Sequence, residues 1–256
     1  MSTTLLEATS LDKSYGRIRV LRDVNLTIGV GESHVVIGPN GAGKTTLFKV
    51  LTGELYADRG AVRFEQRDVT RMPAHRRVHL GFGRTFQVAK VFPKLSVQDN
   101  LLVALEARVR RGNPLGRVPG AQAAAFPAAI ESLLADTGFG AQRDSISGTL
   151  AYGDRKRLEM AMVLALEPAV LFLDEPTAGM SAAERQATVE LLKTVKRKRR
   201  LSMLMTEHDM AVVFGLADRI SVLHYGQLIA SGTPEEIRHN DKVKEVYLGD
   251  GDDDHA

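Results

Sequence analysis

Residues 38–46, GPNGAGKTT, combine three glycines, one lysine and two threonines at a spacing that suits phosphate binding. Glycines allow backbone N–H groups to wrap phosphate oxygens without interference from a Cβ atom. Lys44 is placed to reach the β- and γ-phosphates of a nucleotide, and the Thr45 hydroxyl suits Mg²⁺. Because an apolar strand precedes the segment and a helix follows it, the G-x-x-x-x-G-K-[ST] pattern predicts a nucleotide site. The expected contacts are Gly38, Pro39, Asn40, Gly41, Ala42, Gly43, Lys44, Thr45 and Thr46.

Two acidic residues end the apolar run AVLFLDE at 169–175. Asp174 is expected to hold Mg²⁺, and Glu175 is placed to take a proton from a water attacking the γ-phosphate. Pro176 makes a sharp exit, which keeps both carboxylates at the carboxyl edge of the strand, where open α/β sheets bind ligands. The chain has no N-K-x-D guanine motif, and a small-molecule kinase seldom needs an acid beside the Mg²⁺ aspartate. ATP hydrolysis is the predicted reaction.

The stretch LAYGDRKRLE at 150–159 leads a small residue and a glycine into a predicted helix. It is either an ordinary helix start, with Asp154 in the first turn, or an anion site. Helix N-termini present free N–H groups to negative charge, so the residues alone leave both interpretations open.

Alternating strands and helices must position these residues, and the alternation predicts an α/β layered core. Ser96 and Asp99 form a plausible capping box, and Thr233, Pro234 and Glu236 are typical of a helix start. We predict strands at 5–15, 19–28, 34–38, 169–175 and 201–208; hairpins at 60–70 and at 219–232, the latter turning at Tyr225–Gly226; helices at 45–53, 96–111, 121–139, 157–166, 183–198, 210–217 and 233–249; and an exposed loop at 110–120.

The composition limits the classes of protein that fit this sequence. The 256 residues carry a formal net charge of +3, too balanced to indicate nucleic-acid binding, and no cysteine, which excludes disulfides and cysteine-based zinc sites. No apolar run approaches the ~20 residues of a spanning helix, and no secretory signal is recognisable. We expect a protein that is itself soluble.

Four motifs in this order, the phosphate loop at 38, LAYGD at 150, FLDEP at 171 and His208 after a strand, resemble the nucleotide-binding subunit of ATP-binding cassette (ABC) transporters. The resemblance spans about residues 5–249. It implies a P-loop NTPase fold with a RecA-like core, an antiparallel β subdomain and an α-helical subdomain. The implied ABC ATPase domain is 1–249, with the helical subdomain at 88–157 and a disordered acidic tail at 250–256.

The resemblance also implies roles for single residues. Tyr15 would stack on adenine, His208 would bond the γ-phosphate, and residues 178–181 would form the D-loop. Gln87 would contact Mg²⁺ and the attacking water and sense the transmembrane subunits. The implied catalytic residues are Glu175, His208, Gln87 and Lys44, and the implied metal ligands are Thr45, Gln87 and Asp174.

In this family two subunits pack head to tail, and the signature helix of one points at the γ-phosphate held by the other. LAYGD occupies the position of the LSGGQ signature, so Ala151 and Gly153 would act on the partner's nucleotide. Two residues depart from the family pattern. Ala151 replaces the signature serine, and Ser181 replaces the usual D-loop acid or amide.

The LAYGD signature resembles the signatures of the branched-chain amino acid importer ATPases. This implies ATP and Mg²⁺ as cofactors, two permease subunits, a second ATPase subunit in a homodimer or heterodimer, and indirectly a periplasmic solute-binding protein. The chain would lie in the cytoplasm, on the inner face of the membrane, and power uptake of branched-chain or related amino acids, amides or urea. Two alternatives stay open. KRKRR at 196–200 is the feature that favours a soluble ABC ATPase acting on nucleic acid or ribosomes, and Ala151 suggests a low-turnover regulatory module.

Overall fold

The structure is a computed structural model that describes residues 3–86, 89–110 and 116–249. The strands are β1 (Thr4–Tyr15), β2 (Ile18–Gly29), β3 (Ser33–Ile37), β4 (Arg59–Phe64), β5 (Arg67–Asp68), β6 (Phe82–Arg84), β7 (Val170–Asp174), β8 (Ser202–Thr206), β9 (Arg219–His224) and β10 (Gln227–Gly232). The helices are α1 (Lys44–Thr52), α2 (Ala74–His79), α3 (Val97–Val109), α4 (Gly120–Ala124), α5 (Phe126–Thr137), α6 (Tyr152–Ala165), α7 (Ala182–Arg199), α8 (Met210–Leu216), α9 (Pro234–Arg238) and α10 (Asp241–Gly249).

The described strands form two sheets. One is antiparallel, in the order β2-β1-β4-β5, and the other is mostly parallel, in the order β10-β9-β3-β8-β7-β6. In β2 the apolar residues Leu21, Val24, Leu26 and Ile28 are all buried, as the alternation predicts. All five residues of β3, β7 and β8 are buried, because these central parallel strands are covered on both faces.

The central strands bring three segments that carry candidate site residues to one edge of the larger sheet. Strand β3 lies beside β8, and β8 lies beside β7, all parallel. Asp174 pairs in register with Thr206 at the ends of β7 and β8. The residues that follow β3, β7 and β8 therefore leave the sheet at its carboxyl edge, where ligands bind in open α/β folds.

The helices α3, α5 and α6 pack against one another beside the larger sheet. Their apolar faces join the core that includes Leu101, Leu134 and Leu158. The predicted cap at Ser96 is confirmed, since the Ser96 Oγ accepts from the Asp99 N–H at 3.1 Å. The Asp99 carboxylate accepts from the Ser96 hydroxyl at 2.6 Å, so the pair is not the predicted reciprocal capping box. The helical subdomain stays a prediction. Its proposed boundary at residue 157 falls inside α6, so no break in secondary structure marks it.

Most predicted elements are present within one or a few residues, including the hairpin that turns at Tyr225 and Gly226, both with positive φ. The single helix predicted over 233–249 is wrong. It is two helices, because α9 ends at Arg238, with His239 as its C-cap residue, and the Asn240 side chain accepts from the Val243 N–H at 3.2 Å, which starts α10. The helix predicted over 121–139 is likewise two helices, α4 and α5, which are separated at Ala125.

Two predicted segments cannot be compared with the structure. The acidic tail at 250–256 and part of the loop at 110–120 lie outside the described residues. Among the described residues no helix is both long and apolar enough to cross a lipid bilayer.

Candidate functional site

The loop between β3 and α1 contains two glycines at which a Cβ atom would collide with neighbouring backbone. Gly38 has φ 152°, and a Cβ atom placed there would lie 2.0 Å from the Leu223 carbonyl oxygen. Gly43 is the N-cap residue of α1 with φ 107°, and its Cβ would lie 2.9 Å from the Val20 oxygen. The glycines thus hold the loop in contact with β2 and β9 and direct its backbone towards the helix N-terminus.

Lys44 begins α1 and folds back over the loop. Its Nζ donates to the carbonyl oxygens of Gly38 at 2.6 Å and Pro39 at 2.9 Å, and the residue is only 8% exposed. Burial lowers the pKa of Lys44, while the carboxylates of Glu175 and Asp174 act in the opposite direction. The ammonium group is therefore held beside the loop and faces both acidic residues, where a phosphate chain would meet it.

The C-terminal end of α1 is held by Arg77, a residue that no sequence motif singled out. Its guanidinium is fully buried, and its Nη1 donates to the carbonyls of Leu51 at 2.5 Å and Val50 at 3.1 Å. Burial lowers the pKa of Arg77 to about 10. Arg77 satisfies backbone oxygens at the C-terminal end of the helix that carries Lys44, and so it anchors that helix.

Asp174 and Glu175 lie at the end of β7, in different environments. Asp174 is buried, and its Oδ1 accepts from the Thr206 Oγ1 at 2.7 Å. Glu175 is partly exposed and adopts φ 48°, a left-handed conformation that is unusual for a residue with a side chain. Its N–H donates to Thr206 Oγ1 and to the Thr206 carbonyl, each at 3.1 Å. Thr206 therefore places both acidic residues at once.

His208 lies directly opposite Glu175. Its Nε2 is 2.7 Å from Glu175 Oε1, although the two residues are 33 positions apart in the chain. The two side chains share one hydrogen bond, and both are exposed enough to reach a ligand. The structure thus brings together a carboxylate and an imidazole that the sequence placed in separate motifs.

An open cavity of about 260 Å³ lies between the phosphate loop and the Glu175–His208 pair. It is lined by the loop and by both side chains of the opposed pair: Val20, Asn40, Gly41, Ala42, Gly43, Lys44, Thr45, Thr46, Glu175 and His208. Tyr15 is not part of this lining. It ends β1 with 48% of its surface exposed, and its contact with adenine stays a prediction. Gln87 lies outside the described residues, so its role is likewise a prediction.

The strand β6, which sequence reasoning missed, adds a cation beside Asp174. Arg84 Nη2 lies 4.0 Å from Asp174 Oδ2, and Arg84 also forms an ion pair with Glu54. Burial lowers the pKa of Arg84, and Asp174 opposes that shift. The arginine balances the charge of a buried carboxylate whose second neighbour is Lys44.

The signature segment begins α6, and it does not share the cavity of its own phosphate loop. Ala151 is the N-cap residue and is exposed, with no side-chain cap bond to the helix. Gly153 is buried against Glu184, where a Cβ atom would lie 2.6 Å from the carboxylate Oε1. The glycine therefore has a contact within its own chain, whatever it does across a dimer.

The same helix carries two buried charged residues that sequence reasoning missed. Lys156 Nζ donates to the Phe86 carbonyl at 2.5 Å. Glu159 Oε1 accepts from the backbone N–H groups of Phe86 at 3.3 Å and Lys90 at 3.0 Å. Burial raises the pKa of Glu159, and these bonds oppose the shift. The signature helix thus holds the main chain on both sides of residues 87–88.

Family models and relatives of known name match most of this chain. The ABC transporter family model matches residues 21–178, and a model described as branched-chain amino acid ATP-binding cassette transporter matches residues 227–253. The high-affinity branched-chain amino acid transport ATP-binding protein LivG of Escherichia coli is 36% identical, covering 98% of this chain and 100% of LivG. The lipopolysaccharide export system ATP-binding protein LptB of Acidithiobacillus ferridurans is 37% identical, covering 96% and 97%.

A solved structure shows the same architecture. The ADP conformation of MJ1267, an ATP-binding cassette of an ABC transporter, superposes with a TM-score of 0.81 at 28% identity. It covers 97% of this chain and 100% of the other.

Proposed function

The chain belongs to the ABC transporter ATP-binding family, and from that premise we propose that it powers an importer of branched-chain or related amino acids, amides or urea. As a member of the family it is an ATPase coupled to transport. The observation that carries the proposal is the single cavity in which the phosphate loop meets Glu175 and His208. The match of residues 227–253 to the branched-chain model supports the importer class.

The residues of the cavity divide the chemistry among them. Backbone N–H groups of the loop and the Lys44 ammonium bind the phosphates, since charge-assisted bonds to phosphate are the strong ones. Glu175 accepts a proton from the attacking water, and His208, released from Glu175, donates to a γ-phosphate oxygen. Thr206 keeps Glu175 at the strand edge during this exchange of partners.

Thr45 and Asp174 would hold Mg²⁺, with Gln87 as the further ligand implied by the resemblance. Hydroxyl and carboxylate oxygens are the ligands that this ion prefers, so the donor set fits. The described residues hold no group of three or more His, Asp or Glu side chains placed for a metal. When bound, the ion would neutralise charge on the phosphates.

An apolar groove of about 350 Å³ supplies a docking place for a permease segment. Phe86 and Phe92 lie in it with 43% and 47% of their surfaces exposed, beside Phe82, Met162 and Val163. Exposed aromatic side chains in a concave surface are typical of interfaces. Because Lys156 and Glu159 fix the backbone of Phe86, movement in the groove would be transmitted to α6 and its signature end.

The second ATPase subunit is expected to complete each site in a head-to-tail dimer. Neither Ala151 nor Gly153 lines the cavity of its own chain, which agrees with a role towards a partner's nucleotide. Ser181 is used within the chain, since its side chain caps α7 through a reciprocal pair of bonds with Glu184. Ser181, which replaces the usual D-loop acid or amide, therefore has a capping role within its own chain.

The nucleic-acid alternative finds little support in the basic run. Lys198 and Arg199 both pair with Asp136, and Lys196 pairs with Asp218. These cations are matched by carboxylates of the same chain, which leaves less charge for phosphate backbones. The low-turnover alternative is opposed by the intact Glu175–His208 pair.

Reconstitution tests the proposal and its direction, because the relative LptB is named for export. The chain is assembled in proteoliposomes with the permease subunits encoded beside it and with their solute-binding protein. ATP supplied on the ATPase side should drive accumulation, on that same side, of the solute that the binding protein retains. Lys44→Ala should abolish this accumulation. ATP-driven movement of lipid or solute away from the ATPase side would overturn the importer assignment.

A further inference from the structure

Glu207, between β8 and His208, has a buried carboxylate that the proposed chemistry does not use. The residue is 3% exposed. Its Oε1 accepts from the N–H of Thr177 at 3.0 Å and from the Thr177 hydroxyl at 2.6 Å. Its Oε2 accepts from the N–H of His208 at 3.1 Å. One carboxylate therefore satisfies three donors from two separate loops.

These two loops carry the groups that act on the γ-phosphate. Strands β7 and β8 end in register, so the segments after them run side by side from the sheet edge. The first contains Glu175 and continues through Thr177, whose carbonyl accepts from the Met180 N–H at 3.2 Å. The second contains Glu207 and His208. The carboxylate of Glu207 ties the main chain of His208 to the turn that leads into residues 178–181.

We propose that Glu207 is a positioning residue for ATP hydrolysis. By holding the His208 main chain against the Thr177 turn, it sets the imidazole at hydrogen-bond distance from Glu175 and links His208 to the D-loop at residues 178–181. The inference rests on the proposed roles of Glu175 and His208. It adds a residue that touches neither the nucleotide nor the attacking water.

Only a carboxylate fits the three donors. An ionised carboxylate offers acceptor sites on both oxygens, whereas a glutamine offers one acceptor oxygen and an NH₂ group. With Glu207→Gln, an amide oxygen directed at Thr177 places NH₂ against the His208 N–H, so two donors oppose each other. The buried N–H of His208 then loses its partner, and the main chain moves to find another.

Steady-state phosphate release by the assembled transporter tests this. Glu207→Gln should lower kcat by about 10- to 100-fold, the effect of losing one bond to a charged group. The KM for ATP should stay within about threefold, because the phosphate loop is untouched. Asp209→Asn is the matched control. It removes the same charge two residues away, where Asp209 caps α8 and pairs with Arg185 without bonding His208. Its kcat should equal that of wild type.

A second readout separates positioning from a general loss of structure. In ¹⁵N-histidine NMR spectra of the purified chain, Glu207→Gln should shift the ring signals of His208, identified with His208→Ala. His34 is buried and bonded to Ser221 at 2.8 Å, so its signals serve as the internal reference. Wild-type kcat, or unchanged His208 signals, in a folded Glu207→Gln variant would overturn the proposal.

Two further variants keep the outcome decisive. Should Glu207→Gln lose cooperative unfolding, Glu207→Asp replaces it, since the shorter carboxylate reaches only one of the two loops, and wild-type kcat in that variant overturns the proposal. Loss of turnover in His208→Ala with normal turnover in Glu207→Gln removes only the role of Glu207. Normal turnover in both Glu175→Gln and His208→Ala removes the proposed roles of those two residues, on which the inference rests, whereas failed uptake in the reconstituted system removes the proposed function.

Discussion

Replacing Ala151 by serine is expected to have two separable effects. Ala151 is the N-cap residue of α6, with φ −59° and ψ 160°, and makes no side-chain bond to the helix. A serine oxygen at this position can accept from the backbone N–H of the third helical residue, Asp154. An added N-cap stabilises a protein by roughly 0.5–2 kcal/mol. For a chain of this size that corresponds to a rise in Tm of about 1–8 °C.

The second effect concerns the dimer. A hydroxyl that accepts from the helix still has its own hydrogen to donate, so the serine can also bond a γ-phosphate held by the partner. A bond to a charged group contributes about 1.5–3 kcal/mol, or roughly a 10- to 100-fold tighter ATP-dependent association. Gly153, which keeps the helix start small beside Glu184, is unchanged in this variant.

Ala151→Asp is the matched control, because aspartate caps a helix as well as serine does but repels a phosphate. Thermal unfolding without nucleotide should show both variants more stable than wild type. Sedimentation velocity with MgATP, in a Glu175→Gln background, should show tighter dimers for serine alone. Equal association of both variants, or no gain with serine, would show that the side chain at residue 151 does not bond the partner's nucleotide.

Three further predictions concern other contacts. Lys44→Ala should abolish detectable MgATP binding in calorimetric titration while the unfolding curve stays cooperative, since among the described residues the ammonium donates to the loop carbonyls of Gly38 and Pro39. Arg77→Met should lower the free energy of unfolding by about 3 kcal/mol or more, because at least two buried carbonyls lose their donor, and denaturant titration measures it. Asp136 is partly buried, which raises its pKa, but its bonds to Lys198 and Arg199 outweigh this and lower the pKa overall. Its contribution to stability is therefore present above pH ~4 and lost as the pH falls through the lowered pKa, so Asp136→Asn should destabilise at neutral pH and match wild type in acid.

The phosphate loop and the carboxylates at 174 and 175 could be predicted because their signals are local. A fixed spacing of glycines and lysine, or an apolar run ending in acids, is complete within ten residues. The hairpin at Tyr225 and Gly226 is equally local. In each case the conformation follows from the residues that form it, and the structure agrees.

The residues that sequence reasoning missed act over long separations. Arg77 bonds oxygens of α1 that are 26 and 27 residues away, and Glu159 bonds Lys90 across 69 residues. Nothing near these residues in the chain indicates their partners. Glu207 had a visible signal, an acid directly before His208 at the end of a buried strand, but its partner Thr177 lies 30 residues earlier.

The split of the predicted C-terminal helix has another cause. Residues 238–248 contain no glycine or proline that would predict a break. The break depends on the Asn240 side chain, which bonds the Val243 N–H instead of leaving the helix ladder to continue. Asparagine side chains compete with helical backbone bonds in this way, and the surrounding tertiary structure decides which bond forms.

The role of Glu175 as general base is measured by phosphate release from the assembled transporter with the wild-type chain and with Glu175→Gln, alongside ATP binding by titration. A general base contributes about 10²- to 10⁴-fold to the rate, so turnover should fall by that factor. ATP affinity should be retained, because the phosphate loop and Lys44 are unchanged. Turnover close to wild type in Glu175→Gln would show that another group activates the water and would contradict the account of this site.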